Sequence, residues 1–68
     1  MTPHYSILIQ WSDEDQVYIA SLPEFSPYVR THGNTYQDAL ESAEELLETM
    51  CLHYQDQGKA LPQPALAG

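Results

Sequence analysis

Gly33-Asn34-Thr35-Tyr36-Gln37-Asp38-Ala39-Leu40 is the stretch on which the reading of this chain turns. Thr35 with a carboxylate three residues later is close to a capping box, in which a hydroxyl accepts from a first-turn amide. Asp38 adds negative charge where a helix N-terminus is partly positive. Gly33 and Asn34 both tolerate positive φ and so close the segment before the cap. Beyond it, Tyr36, Ala39, Leu40, Ala43, Leu46, Leu47, Met50 and Tyr54 recur at helical spacing and form one apolar stripe. Asp38, Glu41, Glu44, Glu45 and Glu48 lie around the rest. Gly58 suits a C-terminal cap, Lys59 complements the dipole and Pro62 forbids continuation. The spacing predicts a helix over 36–57, on the order of 33 Å long at ~1.5 Å per residue.

Upstream of the cap the period changes to two. Over 4–11, Tyr5, Ile7, Ile9 and Trp11 alternate with Ser6, Leu8 and Gln10, a strand pattern. Ser12-Asp13-Glu14-Asp15 reads as a polar hairpin loop, and a second strand follows over 16–22, with Val17 and Ile19 opposite Tyr18 and Ala20. A four-residue and a five-residue loop both fit, and a one-residue slip exchanges the faces. Pro23 ends the second strand because it has no N–H for the ladder. A loop pinned by Pro23 and Pro27 leads to a third strand over 28–32, anchored on Val29. Downstream, residues 59–64 read as an extended tail. The expectation is one α+β domain over 1–68: a three- to four-stranded, mainly antiparallel sheet in β-β-β-α-β order, with one long helix on one face.

Sixty-eight residues bury a small core, which alone rarely supplies more than ~3–5 kcal/mol. With one cysteine, Cys51, there is no disulfide to reinforce it, so association into at least a dimer is expected. The first two strands carry apolar residues on both faces while one helix covers a single face, and the uncovered face suits an interface. Ten acids against Arg30 and Lys59 give a formal charge of −8. Two distant cations do not make a phosphate-binding footprint, so direct nucleic-acid binding is not expected. The same field attracts basic proteins. No basic leader and no apolar run of ~18 residues is visible, and a lone cysteine suits a reducing compartment, so no membrane contact and a cytoplasmic location are expected.

The residues that carry chemistry elsewhere form no constellation here. Asp13, Glu14 and Asp15 read as a solvated turn, lacking the alternation of a calcium loop. The helix carboxylates lie on a wet face with no cleft to separate two pKa values. His4, His32 and His53 are scattered, and Cys51 has no base and orienting group beside it. No catalytic, metal or cofactor residue is therefore expected. A small hydrolase or nuclease using Asp13 and Asp15 is the reading from the enzyme class, and the missing site logic stands against it. The aromatics are more informative, because the charges among them are acidic rather than basic. Trp11, Tyr18, Phe25 and Tyr28, with Glu24, are the candidate contacts to a partner or to another copy, the loop pair Phe25 and Tyr28 being plausible interface anchors.

The segments Tyr5–Trp11, Asp15–Phe25 and Thr31–Leu40, with the close Gly58-Lys59-Ala60-Leu61-Pro62-Gln63-Pro64, resemble the HicB family of antitoxin-like proteins. The resemblance runs from Tyr5 to Pro64, and Gly33-Asn34-Thr35 leading to Asp38-Ala39-Leu40 is its most specific part. It implies a partial ribonuclease-H-like fold, association as dimers or tetramers, and neutralisation of a small basic ribonuclease toxin of the HicA type. Many members continue into an operator-binding domain; none is visible before Gly68, and operator binding is not expected of this chain. Ser26-Pro27-Tyr28 stands where relatives often have Pro-Gly-Cys, so their loop contacts do not transfer. The first strand offers Ser6, Leu8 and Gln10 rather than a central carboxylate, so the fold likeness brings no two-metal nuclease site. The resulting expectation is an antitoxin-like protein that covers a toxin's RNA surface. The alternative is an orphan HicB-fold homo-oligomer without a toxin.

Overall fold

The helix begins where the cap places it. In the computed structural model, which describes residues 4–26 and 28–67, Thr35 is extended (φ −132°, ψ 168°) and its Oγ1 accepts from the Asp38 amide at 3.0 Å. Helix α1 spans Tyr36–Asp56, with Gln57 as the capping residue rather than the last helical one. Gly58 takes the left-handed conformation at φ 66°. Its N–H donates to Gln55 O at 3.1 Å and that of Lys59 to Tyr54 O at 2.9 Å, the two bonds of a Schellman close.

The sheet is an antiparallel meander of β1 (Leu8–Ser12), β2 (Val17–Ser21) and β3 (Arg30–Gly33) in spatial order β1-β2-β3. Ser12 pairs with Val17, so the hairpin loop has four residues but is Asp13–Gln16, one position later than the expected Ser12–Asp15. Ser12 ends β1, and Gln16 closes the turn instead of opening the second strand, which spans Val17–Ser21 rather than 16–22. Gln16 N–H donates back to Ser12 O at 2.8 Å, and closing that turn puts Gln16 at φ 56°.

The elements depart from expectation mainly at their ends. The first strand starts at Leu8 rather than residue 4, because its partner stops: Leu8 faces Ser21, and beyond Leu22 the chain turns at Pro23. The third strand occupies Arg30–Gly33 rather than 28–32, and Val29 contributes one bond, accepting from Leu22 N–H at 3.1 Å. Of the three to four strands expected, three form among the described residues, and the final β of the expected order is not among them. Residues 59–67 form neither helix nor strand, as suits a segment in which Pro62 and Pro64 have no N–H to give. Pro27, expected to pin the loop, lies outside the described residues, as do residues 1–3 and 68.

Register fixes the faces. Ile9 lies opposite Ala20 and Trp11 opposite Tyr18, while Ala20 pairs with Thr31 and Tyr18 with Gly33. Ile7, Ile9 and Tyr18 pack on a centre made of Ala20, Ala39 and Ala43, so this is the face beneath α1. Leu22 is wholly buried and Leu47 nearly so. The centre is built of alanines because the backbones approach closely. A Cβ on Gly33 would stand 2.3 Å from Ala39 N and 2.6 Å from Asp38 C. Gly33 is thus required for clearance; neither it nor Asn34 adopts positive φ, which occurs at Gln16 and Gly58 among the described residues. The helix lies mainly over β3 and β2 and barely reaches β1.

Candidate functional site

The helix leaves two kinds of surface uncovered, and the aromatic residues divide between one of them, a closed interior cluster and the loop before β3. At the hairpin end, Tyr18 stands between Trp11 and Tyr36. The Trp11 and Tyr18 rings meet edge-on, centroids 5.0 Å apart and planes at 66°. Tyr18 and Tyr36 are 4.3 Å apart at 34°. Trp11 is 49% exposed and Tyr36 63%, so this strip faces solvent. Trp11 Nε1–H donates to Asp13 Oδ1 at 3.3 Å, placing a carboxylate on its rim. Tyr36 was expected on the buried stripe. It occupies the first helical position and packs one side on Tyr18, leaving most of its surface open.

At the opposite end a second set closes on itself. Tyr5 and Phe25 rings lie 4.9 Å apart, and Phe25 meets Tyr54 at 5.5 Å and 90°. Tyr5 Oη–H donates to Pro62 O at 2.6 Å, tying the tail to the start of the chain. Glu24 holds the same two segments: its carboxylate accepts from Ser6 N–H at 3.0 and 3.2 Å and from Ala65 N–H at 3.0 Å. The Glu24 side chain thus supplies, beyond the end of β2, an acceptor that a longer strand would have given Ser6. Desolvation works against ionisation of Glu24, yet the amides of Ala65 and Ser6 outweigh it and hold its carboxyl below the ordinary range. Burial pushes the Tyr5 hydroxyl up, reinforced by Cys51, Glu24 and Tyr54.

The five candidate contacts therefore fall into three places. Trp11 and Tyr18 belong to the open strip. Glu24 and Phe25 are engaged inside the chain. Tyr28 stands alone at 87% exposure, its N–H on Ser26 Oγ at 3.2 Å.

The face of the sheet away from α1 is the other uncovered surface. The pairing puts Leu8, Gln10, Val17, Ile19, Arg30 and His32 there. Leu8 is 48% exposed and Ile19 half-buried. A cleft of about 450 Å³ lies along it, lined by Ser12, Glu14, Asp15, Ile19 and the β3 run Arg30, Thr31 and His32. His53 is exposed on α1 and Cys51 is a half-buried free thiol. Among the described residues, no three His, Cys, Asp or Glu side chains converge as metal ligands, and no helix is long and apolar enough to cross a membrane. Comparison with protein-family models, curated proteins and solved structures finds no match to this chain.

Proposed function

We propose that this chain is a non-enzymatic, antitoxin-like protein of the cytoplasm that binds a small basic RNA-cleaving toxin of the HicA type and covers its RNA surface. The observation that carries the reading is the coincidence of a formal charge of −8 with an exposed aromatic strip rimmed by a carboxylate. An RNA-cleaving protein must present cations to phosphate, and those cations are what an acidic surface competes for. Aromatic anchors supply the contact area that charge alone lacks. The resemblance of Gly33–Leu40 and of the Gly58–Pro64 close to HicB proteins points the same way.

The uncovered sheet face favours a second reading, self-association without a toxin. Leu8, Val17 and Ile19 give that face its apolar side chains, and Arg30 on the same face, beside a strongly acidic remainder, relieves like-charge repulsion between copies. The two readings are compatible if a dimer presents two aromatic strips.

Affinity capture on the tagged chain from its native host at low salt separates them. The expected outcome is a small Lys/Arg-rich protein at near one-to-one stoichiometry, released by salt. That protein cleaves RNA by itself and stops doing so when one equivalent of this chain is added. Capture of the chain alone as a discrete oligomer across growth conditions, or of a basic protein whose RNA cleavage persists, overturns the antitoxin reading.

A further inference from the structure

We infer that the strip formed by Trp11, Tyr18 and Tyr36 is the seat of an arginine side chain carried by a basic protein partner. The inference rests on the function proposed above and specifies its contact. The rings do not form a flat stack: Trp11 and Tyr18 meet at 66°, Tyr18 and Tyr36 at 34°. They therefore present π-surfaces in several directions, and the outer two are open to solvent. The indole N–H is already committed to Asp13. What the strip has left to offer is π-density and the Asp13 carboxylate beside it.

That combination selects a cation. An apolar side chain seated there would strip water from Asp13 without replacing it. A guanidinium stacks on a ring while its N–H fork reaches the carboxylate, and it gives up its hydration more readily than an ammonium does. Neither Arg30 nor Lys59 fills the place. Arg30 pairs with Ser21, on the sheet face opposite Tyr18 and Ala20, and Lys59 follows the far end of α1. The partial positive charge of the helix start near Tyr36 is countered by the Thr35 cap and by Asp38 in the first turn. A second copy is a poor occupant, because it brings another −8 against a rim that is acidic.

Trp11 is the single tryptophan of the chain, so its emission reports on the strip directly. An oligoarginine peptide titrated into the protein should change that emission saturably, and an oligolysine of equal length should bind about fivefold more weakly. Tyr36→Ala should weaken oligoarginine by about fivefold, equivalent to about 1 kcal/mol. Leu52→Ala, an equally exposed residue far along the helix, should not. Thermal melts of both variants check that each remains folded. Equal binding of the two peptides, or an undiminished affinity in Tyr36→Ala, overturns the inference and assigns the attraction to the overall field. The proposed function is judged separately. A captured basic ribonuclease whose affinity ignores Tyr36→Ala removes the arginine seat and keeps the antitoxin reading. Tyr36-dependent oligoarginine binding without any such ribonuclease keeps the seat and removes the antitoxin.

Discussion

Tyr5, Phe25 and Tyr54 at one end of the sheet, and Trp11, Tyr18 and Tyr36 at the other, are the same kind of assembly put to different uses. Each joins a residue of the N-terminal segment, a residue of β2 or the turn after it, and a residue of α1 through ring contacts of about the same length. The first set is half-buried throughout, tied by Tyr5 to the tail at Pro62 and by Glu24 to Ser6 and Ala65. The second has no tail over it, and the helix that supplies Tyr36 has only just begun. The difference shows that ring packing alone does not separate core from contact surface. What separates them is whether side-chain bonds to the backbone, from Tyr5 and Glu24, bring chain over the rings.

The largest expected effect comes from the clearance that lets α1 reach the open strip at all. Gly33→Ala places a methyl group inside the backbone of Asp38 and Ala39, and the helix start must move off β3. Overpacking against immobile backbone costs about 3 kcal/mol, which is comparable to the ~3–5 kcal/mol a core of this size provides. Urea titration of the variant should show a large unfolded fraction without denaturant. A loss below about 1 kcal/mol would mean that the helix start slides freely, and that Tyr36 is not held against Tyr18 by this approach.

Next in size is the contrast between the clusters themselves. Phe25→Ala removes the ring shared by Tyr5 and Tyr54 and should cost about 2 kcal/mol, below the range for a fully buried phenylalanine. Tyr36→Ala, at an exposed position, should cost less than about 0.5 kcal/mol. Equal losses in denaturant titrations would erase the distinction between a closed cluster and an open one.

How much of this was legible follows the same division. Thr35, Gly58 and Pro62 announce the helix ends because capping is local chemistry, satisfied within four or five residues. Alternation in Tyr5–Trp11 and Val17–Ala20 sorts each strand into two faces for the same reason, but that Ile9 and Ala20 share one follows only from the register. Gly33 is different: its need for space comes from Ala39, and a residue's own neighbours in sequence announce backbone freedom more readily than a tertiary approach. The hairpin loop stayed open between four and five residues because Asp13–Gln16 carries no glycine to mark the left-handed position. Glu24 and Phe25, next to two prolines, read as an exposed loop, and only long-range partners at Ser6, Tyr54 and Ala65 turn them inward.

Glu24 gives the clasp of the closed end a pH dependence. Its pKa is lower in the folded protein than the ordinary ~4.3 of a free glutamate, so the charged form is the one that folding favours. The stabilisation is present in full above the unfolded value and disappears as pH falls through the folded one. Glu24→Gln keeps one acceptor oxygen and loses the charge, and should be about 1 kcal/mol less stable at neutral pH after allowance for solvent screening. Unfolding midpoints of parent and variant should converge as the pH falls below the ordinary carboxylate range. Parallel curves from neutral to acid pH would show that the amides of Ser6 and Ala65 do not depend on the carboxylate charge.

The smallest effect is expected at the hairpin tip, and it has the opposite sign. Gln16 occupies φ 56°, a region in which a side chain with a Cβ is strained by about 1 kcal/mol. Glycine removes that strain but gives the unfolded chain more freedom, and here it also sacrifices the bond from Gln16 Nε2 to Asp13 O at 2.6 Å. That bond is exposed and contributes little against water. The balance favours Gln16→Gly by about 0.5 kcal/mol, read as a small rise in the urea midpoint with an unchanged slope. Because the tip holds Trp11 opposite Tyr18, the gain should come with slower amide exchange in β1 and β2 and none at Tyr5 or Tyr54. A destabilised Gln16→Gly would mean that the side-chain bond to Asp13, not the backbone conformation, sets the hairpin that carries the open strip.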